Sequence, residues 1–143
     1  MNNTSFFRWN VITNVCMALS INTAAVLLGG GDTLSGWVKG CCCAFTINTI
    51  AAVIIPVAAI GRWFAEDVCK TKPGTFAEMA ARNFIVNAIY VTIVSFCMSL
   101  INLGIGPALI PAWLSTYFQL HLVGLITGIV IEKPVAALNS WLG

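Results

Sequence analysis

His121 is the only histidine in this chain, and Tyr117 and Gln119 lie near it within a long apolar stretch. An ionisable group inside a membrane is a functional candidate by default, and an imidazole changes charge near neutral pH. No aspartate or glutamate lies deep in an apolar stretch, so a proton relay through His121 lacks an acidic partner. We favour a neutral imidazole that hydrogen-bonds a neighbouring helix, and keep a functional His121 as the alternative.

Several asparagines also fall inside the apolar stretches, where no water is present to satisfy an amide. Each amide can join two helices, as a hydrogen bond worth about 0.5–2 kcal/mol. The alternative is that the amides line a polar path or a substrate pocket. We favour the structural role. The residues concerned are Asn14, Asn22, Asn48, Asn87 and Asn102.

The spacings that enzymes and metal sites require are missing. The sequence has no His-Glu-x-x-His, no Gly-x-Ser-x-Gly and no phosphate loop. Cys41, Cys42 and Cys43 are consecutive, so on a helix they diverge by about 100° and do not chelate one ion together. Cys16 and Cys97 are expected to pack as small apolar side chains. We predict a non-enzymatic protein with no metal and no cofactor.

The elements that position these groups are four apolar runs, at about 8–28, 37–60, 84–106 and 113–131. Each has about 20 residues, the length that crosses a hydrocarbon core about 30 Å thick. Because 59% of the residues are hydrophobic and 8% are charged, we predict an all-α fold, an integral membrane four-helix bundle in contact with lipid. Tryptophans mark the ends of the runs, as is typical of membrane interfaces. They are Trp9, Trp37, Trp63, Trp113 and Trp141.

Charge predicts the orientation and excludes one class of partner. The formal net charge is +2 and no basic stripe is present, so nucleic acid is not expected as a partner. All lysines and arginines except Lys39 lie on the side that the termini share with the polar middle segment. Basic residues collect on the cytoplasmic side of short loops, so both termini are expected to be cytoplasmic. Glu132 and Lys133 then fall at a solvated cytoplasmic edge.

The first run has a competing interpretation as a cleaved signal peptide. Against that interpretation, the run is longer than a usual signal core and contains three asparagines. The glycines that follow it offer no clear small-x-small cleavage site. We therefore expect the first run to be retained as a helix.

The chain is predicted to contain two parallel two-helix repeats, at about 8–64 and 82–143, joined by a cytoplasmic loop at 65–81. Pro56 and Pro134 each begin Pro-Val-Ala-Ala, and Trp63 and Trp141 follow at the same spacing. Pro removes a helical hydrogen bond and bends the axis, so each segment is expected to turn into the interface. A second match pairs 16–22 with 97–102, which aligns Asn22 with Asn102. The resulting two-fold axis would run along the membrane normal.

Small or polar residues recur at fourfold spacing, which places them on one face of each helix. In lipid, helices associate through close packing at such faces. We therefore expect the stripes to face one another and to leave the large apolar side chains to lipid. The packing residues singled out are Gly36, Gly40, Ala44, Gly124 and Gly128.

The duplicated layout resembles a family of small bacterial inner-membrane proteins of unknown activity, built from tandem two-helix units. The residues that carry the resemblance are Met98–Asn102, Ala112-Trp113-Leu114 and the two Pro-Val-Ala-Ala segments. The resemblance implies a fold and a bacterial inner membrane, and no mechanism.

Two functions remain in competition, and the sequence favours the first. The first is a non-enzymatic helix-packing or accessory subunit of the cytoplasmic membrane, partnered with itself or with other membrane proteins. The second is a small transporter or channel for a neutral or weakly polar solute. Because four short helices are expected to enclose little space, a path for solute is expected between the subunits of a homodimer.

Overall fold

The computed structural model of the protein describes residues 3–30 and 33–141. Four long helices and one short helix make up most of this part of the chain. Each of the four long helices has the length and the apolar composition needed to cross a membrane. The protein is therefore an all-α integral membrane four-helix bundle, which confirms the predicted fold class. The helices are α1 (Asn3–Leu28), α2 (Leu34–Ile54), α3 (Val57–Trp63), α4 (Phe76–Leu103) and α5 (Leu109–Trp141).

The four long helices form a ring in the order α1, α2, α4, α5, in which each packs against two neighbours. Ala44 of α2 packs with Val94 of α4, whereas Gly36 and Asn102 of the same two helices lie together nearer the connections. The two helices are therefore antiparallel, as are the partners within each hairpin. We call the end with the α1–α2 and α4–α5 connections the loop end, and the opposite end the terminal end.

An apolar layer crosses the middle of the bundle. It consists of two clusters, and Val91 is its most deeply buried large side chain. Most large apolar side chains outside the layer are partly or fully exposed on the protein surface, where lipid is their solvent. The layer contains Met17, Ile21, Val91 and Leu120 in one cluster and Ala18, Ala44 and Val94 in the other.

The segment 65–81, expected to be a connecting loop, is largely helical. A π-helical segment (Phe64–Val68) continues α3, and α4 begins at Phe76. The Thr75 side chain caps α4 by accepting a hydrogen bond from the Glu78 backbone N–H at 3.2 Å. A threonine at this position satisfies an N–H that has no partner within the helix. The cap therefore starts α4 at Phe76, eight residues before the apolar run predicted to begin at 84.

The two Pro-Val-Ala-Ala segments differ in structure. At Pro56 the helix ends, with Ile55 in an extended conformation, and α3 follows as a separate helix. At Pro134 the helix does not end, and α5 continues to Trp141. The expected turn into the interface is therefore absent from the second segment. Pro134 is exposed near the terminal end of the bundle, seven residues before α5 ends.

The short helix α3 returns against α4. Gly61 is buried there, and a Cβ at this position would lie 2.8 Å from Arg82 Cγ and 2.8 Å from Val86 Cγ2. Phe64 stacks on Phe84, with ring centroids 6.4 Å apart. The absence of a side chain at Gly61 thus allows the connection between the two hairpins to lie flat on the second one.

Candidate functional site

The contact between α4 and α5, here the α4–α5 seam, is built around Asn87. Its amide nitrogen donates to the His121 backbone carbonyl at 2.7 Å and lies 3.0 Å from His121 Nδ1. The ring nitrogen accepts when the neutral imidazole carries its proton on Nε2. A Cβ at Gly124 would overlap the Asn87 amide oxygen. The glycine therefore lets the buried amide reach the main chain of the facing helix.

Toward the loop end the seam continues through hydroxyl and aromatic groups. Thr92 Oγ1 lies 2.9 Å from the Tyr117 hydroxyl, and the Trp113 indole N–H donates to Ser95 Oγ at 2.8 Å. The Tyr117 ring lies 5.4 Å from Trp113 and 6.2 Å from His121. His121 is therefore held between a tyrosine and the Asn87 amide, on the side of the bundle rather than in a wide interior.

At the terminal end the seam closes with charged groups. Arg82 Nη2 donates to one carboxylate oxygen of Glu132, and Asn83 Nδ2 donates to the other at 2.6 Å. Asn83 also lies over Gly128, where a Cβ would stand 3.1 Å from its amide oxygen. The sequence placed Glu132 at a solvated edge, but in the structure it ties α5 to α4.

The contact between α1 and α2, here the α1–α2 seam, repeats this chemistry at the loop end. Asn22 Nδ2 donates to the Trp37 carbonyl at 3.0 Å and to Cys41 Sγ at 3.3 Å. A Cβ at Gly40 would overlap the Asn22 amide oxygen. The Trp37 indole N–H donates to Thr23 Oγ1 at 3.0 Å. Here too an asparagine packs on a glycine, and its amide donates a hydrogen bond to the carbonyl of the residue three positions before that glycine.

Farther from the loop end the α1–α2 seam changes character. Asn22 faces Gly40, and one turn farther Ala18 packs with Ala44. The same register places Asn14 opposite Asn48. Both are buried, yet the amide nitrogen of Asn14 and the amide oxygen of Asn48 have no hydrogen-bond partner. These two side chains therefore do not form the interhelical bond that either one is able to make.

A cavity of about 420 Å³ lies inside the ring and is lined by residues from all four long helices. Gly36, Lys39 and Asn102 lie toward its mouth at the loop end, and Ala44 and Leu120 lie at its floor. The distance along α2 from Gly36 to Ala44 is eight residues, or about 12 Å at 1.5 Å per residue. The cavity, here the central cavity, therefore reaches the mid-bundle apolar layer.

The structure divides the predicted site residues among separate places. Asn22, Asn102, Gly36, Gly40 and Ala44 line the central cavity. Asn87 and His121, with Gly124, belong to the α4–α5 seam. Asn14 and Asn48 face each other across the α1–α2 seam. Trp63 and Trp141 are exposed at the terminal end. Asn102 differs most from its expected place, because it lies exposed at the last turn of α4 rather than deep in the membrane.

The aligned asparagines Asn22 and Asn102 have unlike surroundings, and the facing residues suggest another correspondence. Asn48 and Gly124 each follow eleven residues after a tryptophan, Trp37 or Trp113. Their opposite residues are Asn14 and Asn87. A motif supports this second alignment, since residues 10–14 and 83–87 both read Asn-x-Ile-x-Asn.

Sequence reasoning also missed residues that line the central cavity. Lys39 was used only for orientation and Cys43 only to exclude a metal, and Ser95 and Ser99 were not singled out. A signal that links them is the fourfold spacing of Gly36, Gly40 and Ala44, on which the cavity is centred. Such spacing marks a helix face without a large side chain, and it does not tell whether a neighbouring helix fills the space.

Comparison of the chain with protein-family models, with curated proteins and with solved structures found no match. Any indication of function therefore comes from the geometry of the four-helix membrane bundle itself.

Proposed function

We propose that this protein is a non-enzymatic transporter or channel for a small neutral or weakly polar solute, and that the central cavity is the chamber that the solute enters. The observation that carries the proposal is a cavity of about 420 Å³ between four membrane-spanning helices. Sites for small molecules commonly measure about 300–1,000 Å³. Four short helices were expected to enclose little space, and the structure differs on this point.

The lining suits a small molecule with hydrogen-bonding groups. Asn22, Ser99, Asn102 and Thr116 contribute amides and hydroxyls among apolar side chains. Lys39, toward the mouth, is the only charged residue among those that line the cavity. A lining of this kind provides hydrogen bonds in place of water without the cost of burying a charge, which favours a neutral solute.

Passage through the protein requires the floor of the cavity to open. The floor belongs to the mid-bundle apolar layer, where Ala44 packs with Val94. Of the two contacts that join the hairpins, α2 with α4 is less extensive than α1 with α5. The interruption of the helix at Pro56 lies at the terminal end of α2. We propose that α2 moves away from α4 about this point, as hinge motions commonly use the end of an element.

The sequence favoured an accessory subunit, but the observation that motivated this function now has another explanation. The prediction was based on stripes of small residues that were available to partner helices. In the structure Gly40, Gly124 and Gly128 each pack against an asparagine of the same chain. The small-residue stripes therefore account for the bundle itself, and the accessory role, like the homo-oligomer, stays a prediction.

Orientation is part of the proposal. With both termini in the cytoplasm, as the basic residues predict, the cavity opens to the outside of what we propose is a bacterial inner membrane. Cys69 is exposed at the terminal end and Cys43 lines the cavity. On intact cells a membrane-impermeant thiol reagent should label Cys43 and leave Cys69 unlabelled until the cells are permeabilised. Labelling in the opposite order would reverse the topology.

Water access to the cavity is tested with two neighbouring cysteines. Cys43 lines the cavity, whereas Cys42 is exposed on the outside of the bundle, where lipid covers it. Single-cysteine variants should react with a charged methanethiosulfonate at least tenfold faster at Cys43 than at Cys42. Equal rates, or an unreactive Cys43, would mean that the cavity is dry or filled, and the proposal would fail.

Conduction is tested by osmotic swelling of proteoliposomes in urea, glycerol and ribitol, measured by light scattering. At least one solute should enter faster than it enters protein-free vesicles. Ser99→Trp places an indole in the central cavity and should abolish the excess rate. Leu114→Trp, on an exposed surface of α5, should keep it. A rate equal to that of protein-free vesicles for all three solutes, or an unaffected Ser99→Trp variant, contradicts the proposal.

A further inference from the structure

A second cavity, of about 260 Å³, lies between α1 and α2 toward the terminal end. Phe7, Asn14, Thr49, Ala52 and Val53 are among its lining residues, and we call it the lateral cleft. We propose that the lateral cleft binds a membrane-soluble molecule that carries a carbonyl oxygen on an apolar body, and that this oxygen accepts a hydrogen bond from the Asn14 amide.

The cleft exists because two glycines of the second hairpin have no counterpart in the first. Gly124 and Gly128 let α4 and α5 approach until Asn87 and Asn83 lie on the main chain. In the corresponding register, Asn48 takes the place of Gly124 and Ala52 that of Gly128. The Asn48 side chain keeps α1 and α2 apart at this level, since helices approach closely only where small residues meet. The space that remains is the lateral cleft.

A side chain that carries an unpartnered polar atom borders this space. Asn14 is 4% exposed, it lines the cleft, and its amide nitrogen has no hydrogen-bond partner. A buried donor without an acceptor costs about 1–3 kcal/mol, and hydrocarbon supplies no acceptor. A ligand oxygen at Asn14 removes this cost.

The rim of the cleft indicates where its ligand comes from. Val53 is 83% exposed on the lipid-facing surface of the bundle, and Phe7 is 65% exposed at the level of the interface. The cleft therefore opens sideways into the bilayer, in contrast to the central cavity, which opens at the loop end. A molecule that enters it must already be dissolved in the membrane.

The depth of Asn14 in the membrane further restricts the class of ligand. Trp9 marks the interface, and Asn14 follows five residues later, which places it about 8 Å deeper at 1.5 Å per residue. The ester carbonyls of phospholipids lie at the interface, above this level. A carbonyl at the depth of Asn14 belongs to a molecule whose polar group resides below the headgroups. Two such classes are a quinone ring with an isoprenoid tail and a protonated fatty acid.

The volume of the lateral cleft suits a compact part of a ligand rather than a whole large molecule. The cleft of about 260 Å³ is smaller than the about 300–1,000 Å³ typical of sites for drug-sized ligands. It accommodates one ring or one segment of chain, with the remainder of the ligand in the bilayer. Apart from the polar side chains of Asn10, Asn14 and Thr49, the residues that line it are apolar, as such a body requires.

The experiment uses the full-length protein in phosphatidylcholine nanodiscs with two photoreactive probes. One is a diazirine-labelled benzoquinone with a short isoprenoid tail, and the other is diazirine-labelled palmitic acid. We expect one of the two to label residues 7–14 or 49–53, as mapped by peptide mass spectrometry. The probe that labels them identifies the class of ligand. Labelling of neither segment by either probe means that only water or acyl chains occupy the cleft, and overturns the proposal.

Variants separate binding from general contact with lipid. Asn14→Leu removes the donor at similar volume and should lower labelling at least fivefold, and Ala52→Trp should do the same by filling the cleft. Val130→Trp, on the exposed surface of α5, should leave labelling unchanged. Ser99→Trp, which fills only the central cavity, should also leave it unchanged. Labelling that persists in Asn14→Leu would show that the amide does not hold the ligand.

Discussion

In the alignment that pairs residues 10–14 with 83–87, Asn14 corresponds to Asn87, and the surroundings of the two asparagines differ because of the residue that faces each. Asn87 faces Gly124 and donates to the main-chain carbonyl of His121 at 2.7 Å. Asn14 faces Asn48, and its amide nitrogen has no partner. An intramembrane asparagine therefore joins two helices only where the facing residue leaves its amide a route to a carbonyl. The facing glycine, as much as the asparagine, makes the bond.

The same rule operates within the first hairpin. Asn22 faces Gly40 and bonds to the Trp37 carbonyl at 3.0 Å. Two turns farther along α1, Asn14 faces Asn48 and the helices leave the lateral cleft between them. One pair of helices is thus tightly joined at its loop end and open near its terminal end. The second hairpin is joined from Trp113 to Glu132 along its whole seam.

The largest loss of stability is expected from adding a side chain at the glycine on which an asparagine packs. Gly124→Leu should lower the free energy of unfolding by about 3 kcal/mol, since it both overpacks the seam and separates Asn87 from its carbonyl. Unfolding by SDS in mixed micelles measures the change. Gly106→Ala is the control, because a Cβ there meets nothing within 4 Å, and it should change stability by less than about 0.5 kcal/mol. A similar small effect for Gly124→Leu would refute the role given to the glycine.

Replacing Asn14 and Asn87 in turn tests directly whether only Asn87 stabilises the bundle. Asn87→Leu should cost about 1.5 kcal/mol, because it removes the bonds to His121. Asn14→Leu should leave the free energy of unfolding unchanged or raise it by up to about 1 kcal/mol, since the amide nitrogen it removes has no partner. The same SDS titration compares them. Equal losses at both sites would show that Asn14 gains a protein partner in the membrane.

Trp37 and Trp113 lie near the start of α2 and α5. Each donates an indole hydrogen bond to a hydroxyl group, and the two hydrogen bonds differ in their exposure. Trp113→Phe should cost about 1 kcal/mol, because the bond to Ser95 is partly buried. Trp37→Phe should cost a few tenths of a kcal/mol, since the bond to Thr23 is exposed and water replaces it. Thermal unfolding in one detergent, followed by circular dichroism, ranks the pair. The reverse order would contradict the assigned exposure.

The smallest effect is expected at the charged end of the α4–α5 seam. The Arg82 side chain is 37% exposed and that of Glu132 is 19% exposed, so solvent screens their attraction. Glu132→Gln should cost about 0.5 kcal/mol or less, and the loss should shrink further in about 1 M salt. Lys133→Gln, at an exposed neighbour, should have no measurable effect. A loss that is independent of salt would mean that the carboxylate acts through its bond to Asn83.

The four membrane spans can be predicted from the sequence because length and hydropathy are sufficient to define them. Their ends are less predictable, since single local bonds decide them. Thr75 starts α4 eight residues before the apolar run, and Pro56 ends α2 six residues before its run ends. Pro134 has no such effect, since α5 continues for seven residues beyond it.

The candidate sites were less predictable than the fold. Both members of the pair Asn87 and Gly124 stand out in the sequence, but their pairing requires the register of two antiparallel helices. The central cavity is a volume that no residue fills, and a sequence pattern does not distinguish it from a packed face. The duplication itself stays a prediction, supported by the shared Asn-x-Ile-x-Asn motif at 10–14 and 83–87.

The ring of helices is closed by α5, which packs on both α1 and α4. During synthesis α5 is the last of these helices to leave the ribosome. Until it arrives, the Asn87 amide has no carbonyl of α5 to bond, and the apolar cluster of Met17 and Val91 lacks Leu120. A nascent chain arrested before residue 109 therefore exposes the inner faces of α1 and α4 together.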